Sequence, residues 1–179
     1  MAIKSTLSFN TRPILPNITR RVLLKKGIYA ALVLYSFHPL NLLAETFEIT
    51  KSDDEWKKIL TPAQYDVLRQ QGTERPYSSP LTHLHTEGIY NCVGCNLPLF
   101  SSATKFDSGT GWPSFYAPLP HAVNEATDHS LLMTRTEVHC HRCGGHLGHV
   151  FDDGPPPTGQ RYCINGVVLN FVPQVAGER

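Results

Sequence analysis

The sequence predicts a mainly β domain, antiparallel and introduced by two short helices, and three observations carry that prediction. Two cap-and-helix signals follow each other closely after residue 51. From Arg75 onward the chain breaks into short segments rich in β-branched and aromatic residues, separated by Gly, Pro, Asn and Asp. All five cysteines lie in that region, four of them in two Cys-x-x-Cys pairs.

Ser52-Asp53-Asp54-Glu55 has capping-box spacing, in which the Ser hydroxyl and the Glu carboxylate satisfy each other's backbone N–H groups. Trp56, Ile59 and Leu60 follow at helical spacing. Thr61-Pro62-Ala63-Gln64 repeats the signal with Pro at the first helical position. Tyr65 and Leu68 give this second helix an apolar face, and Gly72 is its expected stop. Strands are expected over 88–92, 137–140, 149–151, 161–164 and 167–172. Asn165-Gly166, between the last two, reads as a hairpin turn. The segment 152–159, with three consecutive prolines, reads as a loop. There is no internal repeat and no low-complexity tract.

The formal net charge of +1 over 179 residues hides a split. Lys4, Arg12, Arg20, Arg21, Lys25 and Lys26 precede Glu45 with no acidic residue among them. Removing those six from the sixteen basic residues leaves ten against fifteen acidic ones, a net of −5. Such an acidic body argues against nucleic acid as a partner, since phosphate binding draws on clustered Lys and Arg. The basic segment contains Thr19-Arg20-Arg21-Val22-Leu23-Leu24-Lys25, which resembles a twin-arginine export signature. The uncharged run 27–37 behind it falls short of the roughly 20 residues of a membrane span and suits a signal h-region. Residues 1–44 are therefore expected to be an export signal, addressed to a periplasm or thylakoid lumen. An organelle transit peptide and an uncleaved membrane anchor are the alternatives. Residues 45–51 read as a linker, 52–174 as the domain and 175–179 as a tail.

Cys92-Val93-Gly94-Cys95 and Cys140-His141-Arg142-Cys143 each place two thiols on one tight turn, and two such knuckles supply the tetrahedral sulfur set of a structural Zn²⁺. The 44 intervening residues exceed a zinc ribbon, so a metal here is expected to staple distant parts of one sheet. Two redox disulfide pairs are the competing reading, more plausible in an exported chain. Cys163 is left without a metal role. Arg161 shares its strand face, and a guanidinium favours the thiolate form. His146-Leu147-Gly148-His149 suggests a Gly-rich bend with two imidazoles available for proton transfer. On these features alone Cys163 reads equally well as a nucleophile or as a small buried hydrophobe.

Four segments add a resemblance. Residues 159–165 (Gly-Gln-Arg-Tyr-Cys-Ile-Asn), 105–115 (Lys-Phe-Asp-Ser-Gly-Thr-Gly-Trp-Pro-Ser-Phe), 140–154 and 90–95 look like the active-site strand, substrate-pocket segment, second knuckle with histidines, and first knuckle of the B-type methionine sulfoxide reductases. They occur in the family's order, over about residues 53–173. The resemblance implies two packed antiparallel sheets and a structural zinc site of four cysteines, held by Cys92, Cys95, Cys140 and Cys143, remote from the active site. It implies reduction of the R epimer of methionine sulfoxide in proteins and peptides, with Cys163 attacking and passing through a sulfenic acid. His146, His149 and Asn165 would bind the sulfoxide oxygen or its bridging water, a histidine giving the proton, while Arg161 would lower the thiol pKa. Trp112 would pack on the S-methyl group, with Phe115 also in the substrate pocket.

Two departures accompany the resemblance. Thr110 stands where many family members carry a resolving Cys, so the chain looks like a single-cysteine variant reset by an external thiol: a thioredoxin-like donor, or glutaredoxin with glutathione. Gly166 stands where the family often has Ser, which the hairpin reading explains. A monomer is expected. Two rival functions are a non-catalytic zinc-stabilised protein-binding module with Cys163 inert, and a thiol–disulfide oxidoreductase using the Cys-x-x-Cys pairs.

Overall fold

The protein is described from a computed structural model, over residues 45–130 and 133–174. The expected signal over 1–44 and tail over 175–179 lie outside the described residues.

Both capping boxes form. Ser52 N donates to Glu55 Oε2 at 2.8 Å and opens α1 (Asp53–Ile59); Thr61 N donates to Gln64 Oε1 at 3.0 Å and opens α2 (Pro62–Gln70). The helix stop differs slightly from expectation. Gln71, with φ 57°, takes the left-handed conformation, and Gly72 follows it, donating its N–H to Asp66 O at 3.0 Å. Trp56, Val67 and Leu68 are the buried face of the pair, and α2 packs on the sheet that carries Cys163. Among the described residues no helix is long and apolar enough to cross a membrane.

Among the described residues nine strands follow: β1 (Gly88–Cys92), β2 (Pro98–Ser101), β3 (Lys105–Phe106), β4 (Ser114–Phe115), β5 (Val123–Asp128), β6 (Arg135–Cys140), β7 (His146–Phe151), β8 (Arg161–Ile164) and β9 (Leu169–Pro173). They form two antiparallel sheets, ordered β2-β1-β9 and β3-β4-β8-β7-β6-β5. The expected mainly β architecture is therefore present, with four strands that the sequence reading did not anticipate. Strand alternation explains the core: along β8, Tyr162 and Ile164 face inward while Arg161 and Cys163 share the other face.

The two sheets are joined by aromatic packing. Phe100 of β2 stacks on Phe115 of β4 with centroids 4.4 Å apart, and Tyr90 of β1 meets Phe115 edge-on at 5.0 Å. Phe115 is 0% exposed. This corrects its expected place in the substrate pocket: its partner across the ladder is Tyr162, on the core face, whereas Ser114 is the residue opposite Cys163.

Two local expectations are also corrected. Asn165-Gly166 is not a hairpin, because β8 and β9 belong to different sheets. Asn165 has φ −66° and ψ 118°, and a 3-10 turn over Gly166–Val168 carries the chain from one sheet to the other. Gly166 is needed there for closeness, since a Cβ would collide with the Ser79 side chain. Likewise His146-Leu147-Gly148-His149 is not a bend but extended β7. Residues 45–51 lie along the second knuckle: Ile49 N donates to Arg142 O at 3.0 Å, and Glu45 Oε2 meets His139 Nε2 at 3.0 Å.

Phe115→Ala removes the ring shared by both sheets and is expected to cost about 3–5 kcal/mol in unfolding free energy. Urea denaturation followed by circular dichroism checks this; a change under about 1 kcal/mol would contradict the core assignment.

Candidate active site and metal centre

The two knuckles meet although 44 residues separate them. The first starts at the end of β1 in the smaller sheet and the second at the end of β6 in the larger, so they join two sheets rather than distant parts of one, and the four sulfurs all fall within 4.8 Å of one another. Cys92 Sγ is 3.8 Å from Cys143 Sγ, and Cys95 Sγ is 3.5 Å from Cys140 Sγ. A tetrahedron with Zn–S bonds of about 2.3 Å has sulfur–sulfur edges of about 3.8 Å, so the donor set fits that ion in number, chemistry and spacing. Mutual hydrogen bonding pushes Cys92 and Cys143 above the ordinary thiol range and holds Cys95 and Cys140 below it, with Cys140 the largest influence on Cys92 and Cys95. A divalent cation favours the thiolate at all four. No disulfide is formed among the five cysteines.

Cys163 lies in the middle of β8, within the larger sheet. Its neighbour across β7 is His149 and its neighbour across β4 is Ser114. Gly148 makes that closeness possible: a Cβ there would collide with the Cys163 carbonyl oxygen. Cys163, His149, Trp112 and Asn165 line one cavity of about 140 Å³, together with Thr73, Arg135, Gly148 and Phe151. That volume is below the roughly 300–1,000 Å³ of pockets enclosing drug-sized ligands. It suits the tip of a side chain.

The electrostatics pull in opposing directions. Burial pushes the Cys163 thiol up; the Arg161 charge and hydrogen bonds from Thr110 and Arg161 pull it back, leaving it above its ordinary value. Arg161 therefore acts in the expected direction without prevailing. Its guanidinium is already committed, to Asp153 through Nε at 2.8 Å and Nη2 at 2.9 Å, and to the Phe151 ring at 4.4 Å. Burial lowers His149, opposed by its hydrogen bond from Nε2 to Asp128 Oδ2 at 2.8 Å and assisted by the nearby Arg135 and His146. Asp128 also accepts from Arg135 Nη2 at 2.7 Å, and the Ser130 N–H and these partners hold its carboxyl well below the usual range.

Not every expected residue reaches this cavity. His146 is buried beside His149, with ring centroids 5.4 Å apart, and its Nδ1 pairs with Glu137 Oε1 at 2.6 Å. It lines a neighbouring polar cleft with Gln71, Asp128, Glu137 and His149. Arg161 sits two residues along β8, and Phe115 is in the core. Of the histidines given no catalytic place, His139 is buried against Glu45, His141 Nδ1 meets Asn124 Oδ1, and His83 stacks on Tyr77.

Sequence reasoning missed Asp128, Arg135 and Glu137, which flank the two histidines from β5 and β6. It also missed Glu74. Glu74 N donates to Asn165 Oδ1 at 3.0 Å, its carbonyl accepts from Trp112 Nε1 at 3.2 Å, and its carboxylate accepts from Gly166 and Val167. No local signal marks these four, because a charged residue in a loop or strand ordinarily reads as solvated surface.

Residues 60–173 match the SelR domain family. The chain is 60% identical over 128 residues to the peptide methionine sulfoxide reductase MsrB of Pseudomonas savastanoi pv. phaseolicola, covering 71% of this chain and 98% of that one. It is 57% identical over 132 residues to the protein of that name from Methanosarcina barkeri, covering 73% and 93%. A third of that name, from Agrobacterium fabrum, is 54% identical over 127 residues, covering 70% and 94%. With a family match across most of the chain and relatives more than half identical along nearly their whole lengths, the chain belongs to the SelR domain family, that of the B-type methionine sulfoxide reductases.

Proposed function

We propose that this enzyme reduces the R epimer of methionine sulfoxide in proteins and peptides, with Cys163 as its single redox-active thiol. The observation that carries the reading is the placement of Cys163 and His149 as direct partners across β7 and β8, at a cavity also lined by Trp112 and Asn165. The Cys163 thiolate attacks the sulfoxide while His149 gives a proton to the oxygen. The oxygen ends on Cys163 as a sulfenic acid, two electrons pass to the substrate sulfur, and methionine leaves. Trp112 packs against the S-methyl group and Asn165 binds the oxygen or a bridging water. His146, beside His149 and paired with Glu137, joins His149 and Asn165 in binding the oxygen or its bridging water.

With four cysteines gathered at the metal centre, none remains in this chain to resolve the sulfenic acid. Two external thiols then restore Cys163, leaving as a disulfide and water. A thioredoxin-like protein, or glutaredoxin with glutathione, is the proposed donor. Cys92, Cys95, Cys140 and Cys143 would hold a structural Zn²⁺, which supplies a cross-link between the β1 end and the β6–β7 turn and takes no part in the reaction. A monomer, no nucleic-acid partner and export by residues 1–44 complete the proposal.

Separated epimers of a methionine sulfoxide peptide, with dithiothreitol as reductant, give the direct test. The R epimer is expected to turn over, the S epimer to remain, and Cys163→Ser to abolish turnover. Reduction of S alone, or full activity in the variant, would overturn the assignment. Metal analysis is expected to find close to one zinc per chain, with Cys95→Ser losing both zinc and thermal stability. A zinc-free chain of unchanged melting temperature would contradict the metal centre.

The pH profile has a definite shape. The reaction needs one proton shared between Cys163 and His149, and burial lowers the histidine while raising the thiol. Gaining a second proton removes the nucleophile and losing the only one removes the acid. kcat/KM is therefore expected to rise with pH only below about 6.5, stay level, and fall above about 8.5. A narrow bell peaking inside that window would contradict the assigned pair.

A further inference from the structure

We propose that Glu74 is a positioning residue for the Cys163 cavity: its carboxylate caps the turn Gly166–Val168 from outside, which frees the Asn165 side chain to hold its place at the cavity. The proposal rests on the function proposed above, in which Asn165 binds the sulfoxide oxygen or its water.

Asparagine is among the residues most favoured at a helix N-cap, where its side chain ordinarily accepts from an N–H of its own first turn. Asn165 occupies that position ahead of Gly166–Val168 and makes no such bond. Its amide is used elsewhere: Oδ1 accepts from Glu74 N at 3.0 Å and Nδ2 donates to Leu147 O, on β7, at 2.9 Å. The orphaned N–H groups of Gly166 and Val167 go instead to Glu74, at 2.5 Å from Oε1 and 3.0 Å from Oε2. A charged acceptor shared by two amides is a strong substitute for the missing cap.

The same residue grips the cavity from two further sides. Its backbone N–H fixes Asn165, and its backbone carbonyl fixes the Trp112 indole at 3.2 Å. Ser79 and Pro113 lie close against Gly166, at the start of the turn it caps. Glu74 is half-buried, and burial raises its carboxyl while both amides and Ser78 oppose that rise, as expected of a carboxylate drawn partly out of water by its hydrogen bonds. A loop glutamate whose task was solubility would stand in solvent.

Glu74→Gln, measured in the otherwise unchanged chain and in an Asn165→Ala background, tests this with an R-sulfoxide peptide and dithiothreitol. Glutamine offers one acceptor oxygen, so one amide loses its partner. kcat/KM is expected to fall about tenfold when Asn165 is present, the worth of one charged hydrogen bond. In the Asn165→Ala background the further loss is expected to stay under about twofold. The rate of Cys163 alkylation by iodoacetamide is expected to be unchanged, because β7 and β8 hold the thiol independently. Equal losses in both backgrounds, or no loss in either, would overturn the proposal. If the Gln variant does not fold, Glu74→Asp keeps the charge: a smaller loss confined to chains with Asn165 supports the proposal, and an equal loss or none overturns it. Amide hydrogen exchange separates this from the function itself. Should the wild-type chain reduce no sulfoxide, faster exchange at Gly166 and Val167 with a moved Asn165 side-chain resonance in Glu74→Gln still supports the positioning. An unchanged spectrum overturns it.

Discussion

The antiparallel pairing of β7 with β8 is the constraint on which the site depends. It sets Cys163 directly opposite His149, and it can close so tightly because Gly148 presents no Cβ to the Cys163 carbonyl. Period-two alternation then settles the rest. Turning Cys163 and Arg161 to the cavity face turns Tyr162 and Ile164 into the core, where Tyr162 joins the aromatic packing that binds the two sheets. A register slip of one residue would bury the thiol and expose the core. Chemistry and stability are thus specified by the same pairing.

The charge arrangement around Cys163 is restrained. A guanidinium two residues away promises a reactive thiolate, yet Arg161 commits its fork to Asp153 and its face to Phe151. Burial wins, and the thiol stays above its ordinary value. A cysteine held protonated at neutral pH is a poor target for adventitious oxidants, since the thiolate is the reactive form. On the proposed mechanism the cost is met at turnover, when the developing proton demand of the substrate oxygen draws on His149 beside it.

Legibility in the sequence followed how local each signal was. Both capping boxes, β1 and β8 were readable because a few adjacent residues determine them. β3 and β4, two residues each, offer no periodicity, and β5 (Val-Asn-Glu-Ala-Thr-Asp) is a polar edge strand with no apolar face to betray it. Asn165-Gly166 carried a strong hairpin signal that lost to tertiary demand: the Asn side chain is bound to β7 and Glu74, and its neighbouring strands belong to separate sheets. The cysteines and the His146/His149 pair were readable from spacing, and Trp112 from resemblance. Phe115 lay close in sequence to Trp112, but strand alternation turned it into the core, whereas a register irregularity between β6 and β7 keeps His146 on the face of His149, at the adjoining cleft.

The central claim is that the Cys163 sulfur takes the oxygen from the substrate. A single-turnover experiment with excess R-sulfoxide peptide and no reductant tests it most directly, by chromatography of the product and mass analysis of a sulfenic acid trapped with dimedone. Close to one reduced peptide per chain and a trapped adduct at Cys163 alone are expected. Product without an adduct at Cys163, or an adduct on a knuckle cysteine instead, would contradict it.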